Sequence, residues 1–292
     1  MPSSNSPSSI NINSLLSLKK GSSISVCIPC QNEEATIGTL VKKIKQNDLY
    51  NFVDEVIVVD DRSTDQTARV AANEGAKVVL VDEMTPSLLS GQGKGNALWT
   101  SLLASKGDIV VWCDGDVVNF DFEWIFKLAA PLLMNPEAAL VKGFYERPMD
   151  PSSGKGGGRT TELLARPLLS LLYPELSFLH QPLAGEVAGR RAQLEKLSFV
   201  QGWGVDVALL IDIVRLYGQK SIVQVDLGIR YHKHRPLQEL SLQASEIALT
   251  LLTMSKDISL EQIEPLLRWP NGSVTELNMA SRPSIASMKA LT

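Results

Sequence analysis

Short apolar runs alternate with longer amphipathic segments along the first half of the chain. The runs are rich in Val and Ile, as buried strands are, while the segments between them repeat apolar residues at helical spacing. This alternation predicts an α/β fold with a mostly parallel, Rossmann-like sheet covered by helices on both faces. The strand-like runs lie at 24–28, 55–59, 77–81, 108–113 and 138–143, and the helix-like segments at 34–46, 64–74, 94–106 and 122–134.

The alternation fades in the second half, after a stretch, MDPSSGKGGGRTTE, that is typical of a mobile loop leading into a helix. Helical patterns follow at 161–173, 204–217 and 237–254, with a short strand near 220–226. The first twenty residues and residues 270–292 are polar and rich in Ser, so we expect loose tails there. The predicted division is a flexible N-terminal tail (1–22), a strand and helix region (23–145), a second region (146–255), and a C-terminal helix with a flexible tail (256–292).

The composition excludes several classes of protein. A formal charge of −4 argues against a broad basic face for nucleic acid or anionic membrane. No apolar stretch approaches the roughly 18–20 residues of a membrane helix, and the N-terminus lacks the features of a secretion signal. The cysteines, Cys27, Cys30 and Cys113, are too few for a secreted disulfide framework. We therefore expect a cytoplasmic protein with reduced thiols and with neither nucleic-acid nor membrane partners.

The strand-like run that begins at Ile109 ends in two carboxylates, Asp114 and Asp116, on either side of Gly115. Mutual repulsion and partial burial raise the cost of ionising both, which indicates a cationic partner. Hard divalent cations such as Mg²⁺ bind carboxylate oxygens together with substrate phosphates. The alternative is a solvated turn. Other polar clusters, PCQNEE and DDRSTD, follow the first two strands, and ligands of parallel sheets bind beyond such strand ends, which favours the metal site.

Two glycine-rich stretches are candidate anion sites. GQGKGN at 91–96 opens a helix, where glycine amides and Lys94 suit a diphosphate, although the Walker A pattern is absent. In GKGGGRTTE at 154–162, Arg159 offers two donors to a phosphate or carboxylate, and Thr160 or Thr161 adds a hydroxyl. The ordinary alternatives are a helix start and a flexible surface loop.

The segment RYHKHRP at 230–236 contains two of the three histidines. His232 is a candidate to complete a metal shell begun by Asp116, and Arg230 or Arg235 to face a phosphate. An exposed basic turn before Pro236 explains the same residues.

CIPC at 27–30 has the spacing of a redox pair. Cys27 falls inside the apolar alternation, however, and the chain does not otherwise resemble the small fold that carries such motifs. The sequence therefore favours structural thiols.

Taken in order, the polar clusters resemble a known enzyme class. PCQNEE, DDRSTD, GKG and DGD look like the nucleotide-sugar half of a GT-A glycosyltransferase, in which a metal on an Asp-x-Asp motif binds the donor diphosphate. GGGRTTELLARPLL, QPLAGEVAGRR, QGWGVDVALLID and VDLGIRYHKHRP resemble the glucosyl-3-phosphoglycerate synthase family over about residues 23–255. The resemblance implies a retaining enzyme that joins glucose from UDP-glucose to the C2 hydroxyl of 3-phosphoglycerate.

The resemblance also implies the site residues. Residues 23–145 would bind the nucleotide sugar and 146–255 the acceptor. Metal ligands for Mg²⁺, with Mn²⁺ or Co²⁺ possible, would be Asp116 and His232. Donor-binding residues would be Pro29, Gln31, Glu33, Asp61, Gly93, Lys94, Asp114, Gly115, Leu183, Gly185 and Arg230. Acceptor-binding residues would be Gly158, Arg159, Thr160 and Thr161, and the catalytic set would be Asp206, Arg159 and Lys94.

One departure from the family pattern concerns the reacting groups. The pattern usually has Glu where Asp206 stands, so this carboxylate is one methylene shorter. A related transferase that uses a GDP-sugar or free glycerate stays open, as does a non-catalytic nucleotide-sugar-binding protein. An inverting transferase that serves a lipid phosphate lacks its usual general base and membrane helices here. The resemblance further implies a homodimer that makes glucosylglycerate as a compatible solute.

Overall fold

The computed structural model describes residues 12–19, 21–48, 51–84, 91–147, 158–231, 237–255, 265–269, 272–277 and 280–290. Its strands are β1 (Ile24–Cys30), β2 (Glu55–Asp60), β3 (Lys77–Leu80), β4 (Ile109–Trp112), β5 (Leu140–Glu146), β6 (Val187–Arg190), β7 (Phe199–Val200), β8 (Ile222–Ile229), β9 (Leu266–Arg268), β10 (Val274–Glu276) and β11 (Ser281–Arg282).

The helices are interspersed with these strands along the chain, and short π-helical or 3₁₀ turns lead into two of them. They are α1 (Ile12–Lys19), α2 (Glu34–Asn47), α3 (Thr67–Asn73), α4 (Val81–Met84), α5 (Gly93–Ala104), α6 (Glu123–Met134), α7 (Arg166–Leu172), α8 (Arg191–Leu194), α9 (Val205–Tyr217), α10 (Leu237–Met254) and α11 (Ile285–Lys289). A π-helical turn, Thr161–Ala165, leads into α7, and a 3₁₀ turn, Gly202–Gly204, leads into α9.

Within the described residues, seven strands form the main sheet in the order β3-β2-β1-β4-β6-β5-β8. Only β6 runs antiparallel to its neighbours in this sheet; the other adjacent pairs are parallel. Strands of regions 23–145 and 146–255 therefore share one sheet. The predicted α/β fold with a mostly parallel sheet is confirmed.

Two apolar clusters hold the helices to the sheet. Successive side chains of a strand point to opposite faces, so Val26 joins one cluster and Cys27 the other. Helix α5 contributes Trp99 to the cluster of Cys27, while α2 contributes Ile37 to that of Val26. Burial on both faces explains why the strands read as unbroken apolar runs.

The structure differs from the sequence prediction at β6, which has no counterpart among the predicted strands. Its four residues, VAGR, are too few and too mixed to show a strand period. Helix α3 begins at Thr67 rather than near residue 64, because Ser63 and Asp65 form a turn. The Ser63 amide donates to the Asp60 carboxylate at 2.7 Å, and the Thr67 amide to the Asp65 carboxylate at 2.9 Å.

Both predicted tails contain ordered structure. Helix α1 lies within 1–22 and buries Leu15, which is 2% exposed. Near the other end, β11 pairs with β7, and α11 buries Ile285. These segments are anchored by a few buried side chains that a polar, Ser-rich composition does not reveal. No helix in the described part of the chain is long and apolar enough to cross a bilayer.

Candidate active site

A cavity of about 300 Å³ lies at the carboxyl ends of β1, β2 and β4, where the sequence predicts a ligand site. It receives residues from both halves of the sequence. The predicted site residues that line it are Pro29, Gln31, Glu33, Asp61, Gly93, Lys94, Asp114, Gly115, Asp116, Gly158, Arg159, Thr160, Thr161, Leu183, Asp206 and Arg230. Gly185 lies behind Asp114, and His232 and Arg235 lie outside the described residues.

Arg230 directly follows β8 and is a cationic partner of the two acids that follow β4. Its Nη2 lies 2.6 Å from Asp116 Oδ1 and 3.1 Å from Asp114 Oδ2. Burial alone would raise the pKa of Asp114, but Lys94 and Arg230 outweigh it and hold this pKa below its usual range. Both charges on Asp114 and Arg230 are therefore retained inside the protein.

Tyr145 and Glu186, both missed by the sequence analysis, hold the other side of Arg230. Arg230 Nη1 donates to the Tyr145 hydroxyl at 2.7 Å and lies 3.4 Å from Glu186 Oε2. Glu186 is fully buried, and burial raises its pKa. It directly follows Gly185 in the PLAGE segment, so the signal for it was a carboxylate between small apolar residues.

Asp206 lies between two lysines at the start of α9. Lys94 Nζ is 2.9 Å from Asp206 Oδ2 and 3.6 Å from Asp114 Oδ1. Lys142 Nζ, on the other side, is 3.7 Å from Asp206 Oδ1. Lys142 was also missed, although a lysine within the apolar run of β5 is a signal in itself. Both oxygens of Asp206 thus face ammonium groups.

The two lysines respond differently to burial. Burial lowers the pKa of Lys142 to about 8, although the Asp206 charge acts in the opposite direction. For Lys94, the charges of Asp114 and Asp206 outweigh burial and raise its pKa. Lys94 is therefore firmly protonated at neutral pH, while Lys142 retains its proton less strongly.

The end of the cavity near β1 and β2 is built by turns that hold backbone in place. Asn32 and Arg62 adopt the left-handed region, with φ of 58° and 60°, which is uncommon for residues other than glycine. Gln31 Nε2 donates to the Asp61 carbonyl at 2.9 Å, and Asp61 Oδ2 accepts from the Gly93 amide at 3.0 Å. Asp61 thereby joins the strand ends to the start of α5.

The predicted acceptor turn stands at the opposite wall. Gly158 has φ of +84°, and its carbonyl accepts from the Glu162 amide at 2.9 Å, an α-helical bond just before the π-helical turn. Arg159, Thr160 and Thr161 follow and line the cavity. Lining residues missed by the sequence analysis are Cys30, Ala97, Arg147, Trp203, Leu240 and Gln243.

Asp114 and Asp116 suit a hard divalent ion, since they offer carboxylate oxygens beside a polar cavity. Within the described residues they do not belong to a cluster of three or more metal-ligating side chains. The other predicted metal ligand besides Asp116 is His232, which the structure does not describe. Arg230 Nη2 is 2.6 Å from Asp116, so an ion at Asp116 has to share this carboxylate with Arg230 or displace it.

The positions of the three cysteine thiols do not support a redox role. Cys27, Cys30 and Cys113 are buried and unpaired. Burial raises the pKa of Cys27 to about 12, and it raises the pKa values of the other two. Since the thiolate is the reactive form, these residues are structural thiols.

A mostly parallel sheet whose strand ends bring paired acids, a helix-start lysine and an arginine to one cavity is the arrangement expected of a nucleotide-sugar-dependent glycosyltransferase. The model of glycosyl transferase family 2 matches residues 25–191. The chain belongs to this family, in the branch of the glucosyl-3-phosphoglycerate synthases.

Three comparisons support that placement. The glucosyl-3-phosphoglycerate synthase of Petrotoga mobilis is 45% identical over 249 residues, which span 83% of this chain and 77% of the relative. The Mycobacterium tuberculosis enzyme with Mn²⁺, uridine-diphosphate-glucose and phosphoglyceric acid is 39% identical, with a TM-score of 0.86 over 96% of this chain and 95% of that one. The same enzyme with Mg²⁺ and uridine-diphosphate gives a TM-score of 0.87 at 38% identity, over 97% and 98% of the two chains.

Proposed function

We propose that the chain transfers glucose from UDP-glucose to the C2 hydroxyl of 3-phosphoglycerate, with a divalent ion, and releases UDP. One observation carries the proposal: the predicted donor residues Lys94, Asp114 and Arg230 and the predicted acceptor residues Arg159 and Thr161 line one cavity. The solved relatives hold a nucleotide sugar, phosphoglyceric acid and Mn²⁺ together, or UDP and Mg²⁺. A single cavity that offers both sets of groups suits transfer between two anionic substrates.

On the donor side, we assign the uridine and ribose to the pocket of Pro29, Gln31 and Glu33, with Asp61 near the base. Lys94 and Arg230 face the diphosphate, since protonated groups at a helix start and in a buried site favour negative charge. Leu183 and Gly185, from the PLAGE segment, border the transferred sugar. Gly93 supplies a backbone position at the start of α5.

Asp116, with His232 as the predicted second ligand, would hold Mg²⁺ or Mn²⁺. When bound, the ion neutralises charge on the donor phosphates and so favours departure of UDP. Asp116 presents its carboxylate at the cavity edge and Arg230 offers the competing positive charge. Displacement of Arg230 from Asp116 would free its guanidinium for a phosphate, while Tyr145 and Glu186 retain it in the site.

On the acceptor side, Gly158, Arg159, Thr160 and Thr161 bind the phosphate and carboxylate of 3-phosphoglycerate. This orients the C2 hydroxyl toward glucose C1 on the face from which UDP leaves. The bond from C1 to UDP breaks, a bond from C1 to the acceptor oxygen forms, and the hydroxyl proton passes to the departing phosphate. Well-oriented reactants of this kind gain roughly 7–11 kcal/mol of barrier lowering from positioning alone.

Asp206 orients the sugar or the hydroxyl and does not attack C1. Both of its oxygens face lysines, Lys94 at 2.9 Å and Lys142 at 3.7 Å, so neither oxygen is left to approach C1 as a nucleophile. The shorter side chain, compared with the Glu of the family pattern, lies where these two ammonium groups fix it.

Three wider attributes belong to this proposal by family resemblance. We expect a homodimer, a cytoplasmic location and a role in making glucosylglycerate as a compatible solute. The buried, unpaired thiols of Cys27, Cys30 and Cys113 suit a reducing compartment. The division into a nucleotide-sugar-binding region (23–145) and an acceptor region (146–255) is retained as part of the proposal.

Release of nucleoside diphosphate tests the function with four substrate pairs: UDP-glucose or GDP-glucose as donor, and 3-phosphoglycerate or glycerate as acceptor. With Mg²⁺ present, we expect fastest release for UDP-glucose with 3-phosphoglycerate, because Arg159 then has an acceptor phosphate to bind. Equally fast release with glycerate would contradict 3-phosphoglycerate as the acceptor, and a preference for GDP-glucose would contradict UDP-glucose as the donor. UDP binding without release for any acceptor would identify a sensor.

Gly185→Ala should weaken UDP-glucose binding about tenfold or more. A Cβ at this position would lie 2.0 Å from Asp114 Oδ1, so the carboxylate must move. Overpacking of this kind costs about 1–3 kcal/mol, and 1.4 kcal/mol corresponds to a tenfold change. Calorimetric titration measures the affinity. Gly75→Ala is the control: Gly75 has φ of +86° and nothing near its Cβ position, so it should lower stability and leave binding unchanged.

A further inference from the structure

The C-terminal segment 280–290, predicted from its composition to be loose, lies against the strand that leads to Asp206. Ser281 pairs with Val200 and Arg282 with Phe199, and the Gln201 amide donates to the Ala280 carbonyl at 3.0 Å. This contact extends the short strand β7 into a two-stranded sheet. The pairing fixes the backbone immediately before the Gly202–Gly204 turn.

Arg282 extends from this segment to helix α5. Its Nε donates to Asn96 Oδ1 at 2.7 Å, and its guanidinium lies 4.7 Å from the centre of the Trp99 ring. Trp99 Nε1 in turn donates to the Pro283 carbonyl at 2.9 Å. Both side chains on α5 are within two turns of Lys94, which lies at the start of the same helix.

The burial of Arg282 is expensive. The residue is 2% exposed, it forms no ion pair with a carboxylate in the described part of the chain, and its Nη2 has no hydrogen-bond partner. Burial of a charge without a counter-ion is unfavourable, and the contacts with Asn96 and Trp99 offset part of that cost. The guanidinium contacts Asn96 and Trp99 on α5 while the backbone of Arg282 pairs with β7, so this residue joins the two elements directly.

The segments that Arg282 joins also contact each other directly. The Gln92 amide donates to Gln201 Oε1 at 3.0 Å, and a Cβ on Gly95 would lie 1.8 Å from the Val200 carbonyl oxygen. Beyond this contact, Lys94 and Asp206 face each other at 2.9 Å. Any slip of α5 along β7 therefore changes the Lys94–Asp206 distance.

We propose that Arg282 is a positioning residue that fixes α5 against β7 and thereby holds Lys94 and Asp206 in register for the donor diphosphate. The inference rests on the proposed function, because Lys94 is assigned there to the diphosphate. Arg282 acts through Lys94 and does not itself line the cavity.

The test is a double-mutant cycle on UDP affinity, measured by calorimetry in the 292-residue chain with Mg²⁺. Arg282→Met should weaken UDP binding about tenfold, which equals about 1.4 kcal/mol. In a Lys94→Met background, Arg282→Met should have little further effect, because the group that it positions is gone. Arg282→Lys retains charge but not the planar fork, and should give a smaller loss than Arg282→Met.

A matched control perturbs the same segment elsewhere. Lys289 lies on α11, away from the cavity, and its Nζ is 2.8 Å from Glu195 Oε2. Lys289→Met removes this ion pair and should leave UDP affinity unchanged. Equal losses from Arg282→Met with and without Lys94 would overturn the inference, as would no loss at all. If Arg282→Met does not fold, the same cycle with Arg282→Lys decides. Failure of the unmutated chain to bind UDP would instead overturn the proposed function.

Discussion

Asp116→Ala should lower turnover of UDP-glucose with 3-phosphoglycerate by roughly 10²–10³-fold, the loss typical when one group that stabilises developing charge is removed. Asp116 is one of the two predicted protein ligands of the divalent ion, and its carboxylate lies 2.6 Å from Arg230 Nη2. Without it, Arg230 still pairs with Asp114 and Glu186, so the fold should persist. Initial rates across a range of Mg²⁺ concentrations measure the effect.

Two variants separate the charge of Asp116 from its shape. Asp116→Asn retains the size and one carbonyl oxygen, and we expect it to fall between the unmutated chain and Asp116→Ala. Asp121→Asn removes an exposed acid from the same loop, where Asp121 accepts from the Glu123 amide at 2.9 Å, and should leave turnover unchanged. Near-normal rates for Asp116→Ala at low Mg²⁺ would exclude the assigned role.

Lys94→Met should reduce turnover by a similar roughly 10²–10³-fold, with a weaker affinity for UDP. Methionine matches the length of lysine but removes the charge that we assign to the donor diphosphate. Among the described residues it also leaves Asp206 with Lys142, at 3.7 Å, as its ion-pair partner, and it removes a partner of Asp114 at 3.6 Å. Steady-state rates and calorimetry with UDP give the two quantities separately.

Lys127→Met is the control for Lys94→Met, because Lys127 forms a surface pair with Glu123 at 3.3 Å on α6. Exposed pairs contribute about 0–1 kcal/mol, so this variant should resemble the unmutated chain in both rate and affinity. Lys94→Arg keeps the charge and should retain more affinity than Lys94→Met. A Lys94→Met variant that binds UDP normally would show that another cation meets the diphosphate.

The sheet and the cavity wall beyond β1, β2 and β4 were predictable because their signals are local and repeated. Buried parallel strands such as Val56–Val59 within β2 read as apolar runs, and the parallel arrangement brings the residues after each strand to one edge. The Asp114 and Asp116 pair needed only its position after a strand to indicate a cation. In the structure, one cationic partner of this pair is Arg230, which lies more than a hundred residues later in the sequence.

The remaining features depend on contacts that sequence does not encode locally. β6 has four residues and gains its place only by pairing with β4 and β5. Lys142 and Glu186 stand among apolar neighbours, so composition favours core positions, and their roles follow only from Asp206 and Arg230. The C-terminal segment 280–290 is polar, and it is held in place by a few buried side chains such as Arg282 and Ile285.

Titration with Mn²⁺, followed by its paramagnetic resonance signal with and without UDP, tests most directly whether the acids after β4 hold an ion that the donor diphosphate shares. We predict a single site per chain that tightens when UDP is present, with UDP tightened equally by Mn²⁺, because coupling between two ligands is reciprocal. The site should be lost in Asp116→Ala. An Mn²⁺ affinity that does not change with UDP, or that is unchanged in Asp116→Ala, would contradict the assignment of a shared ion to these acids.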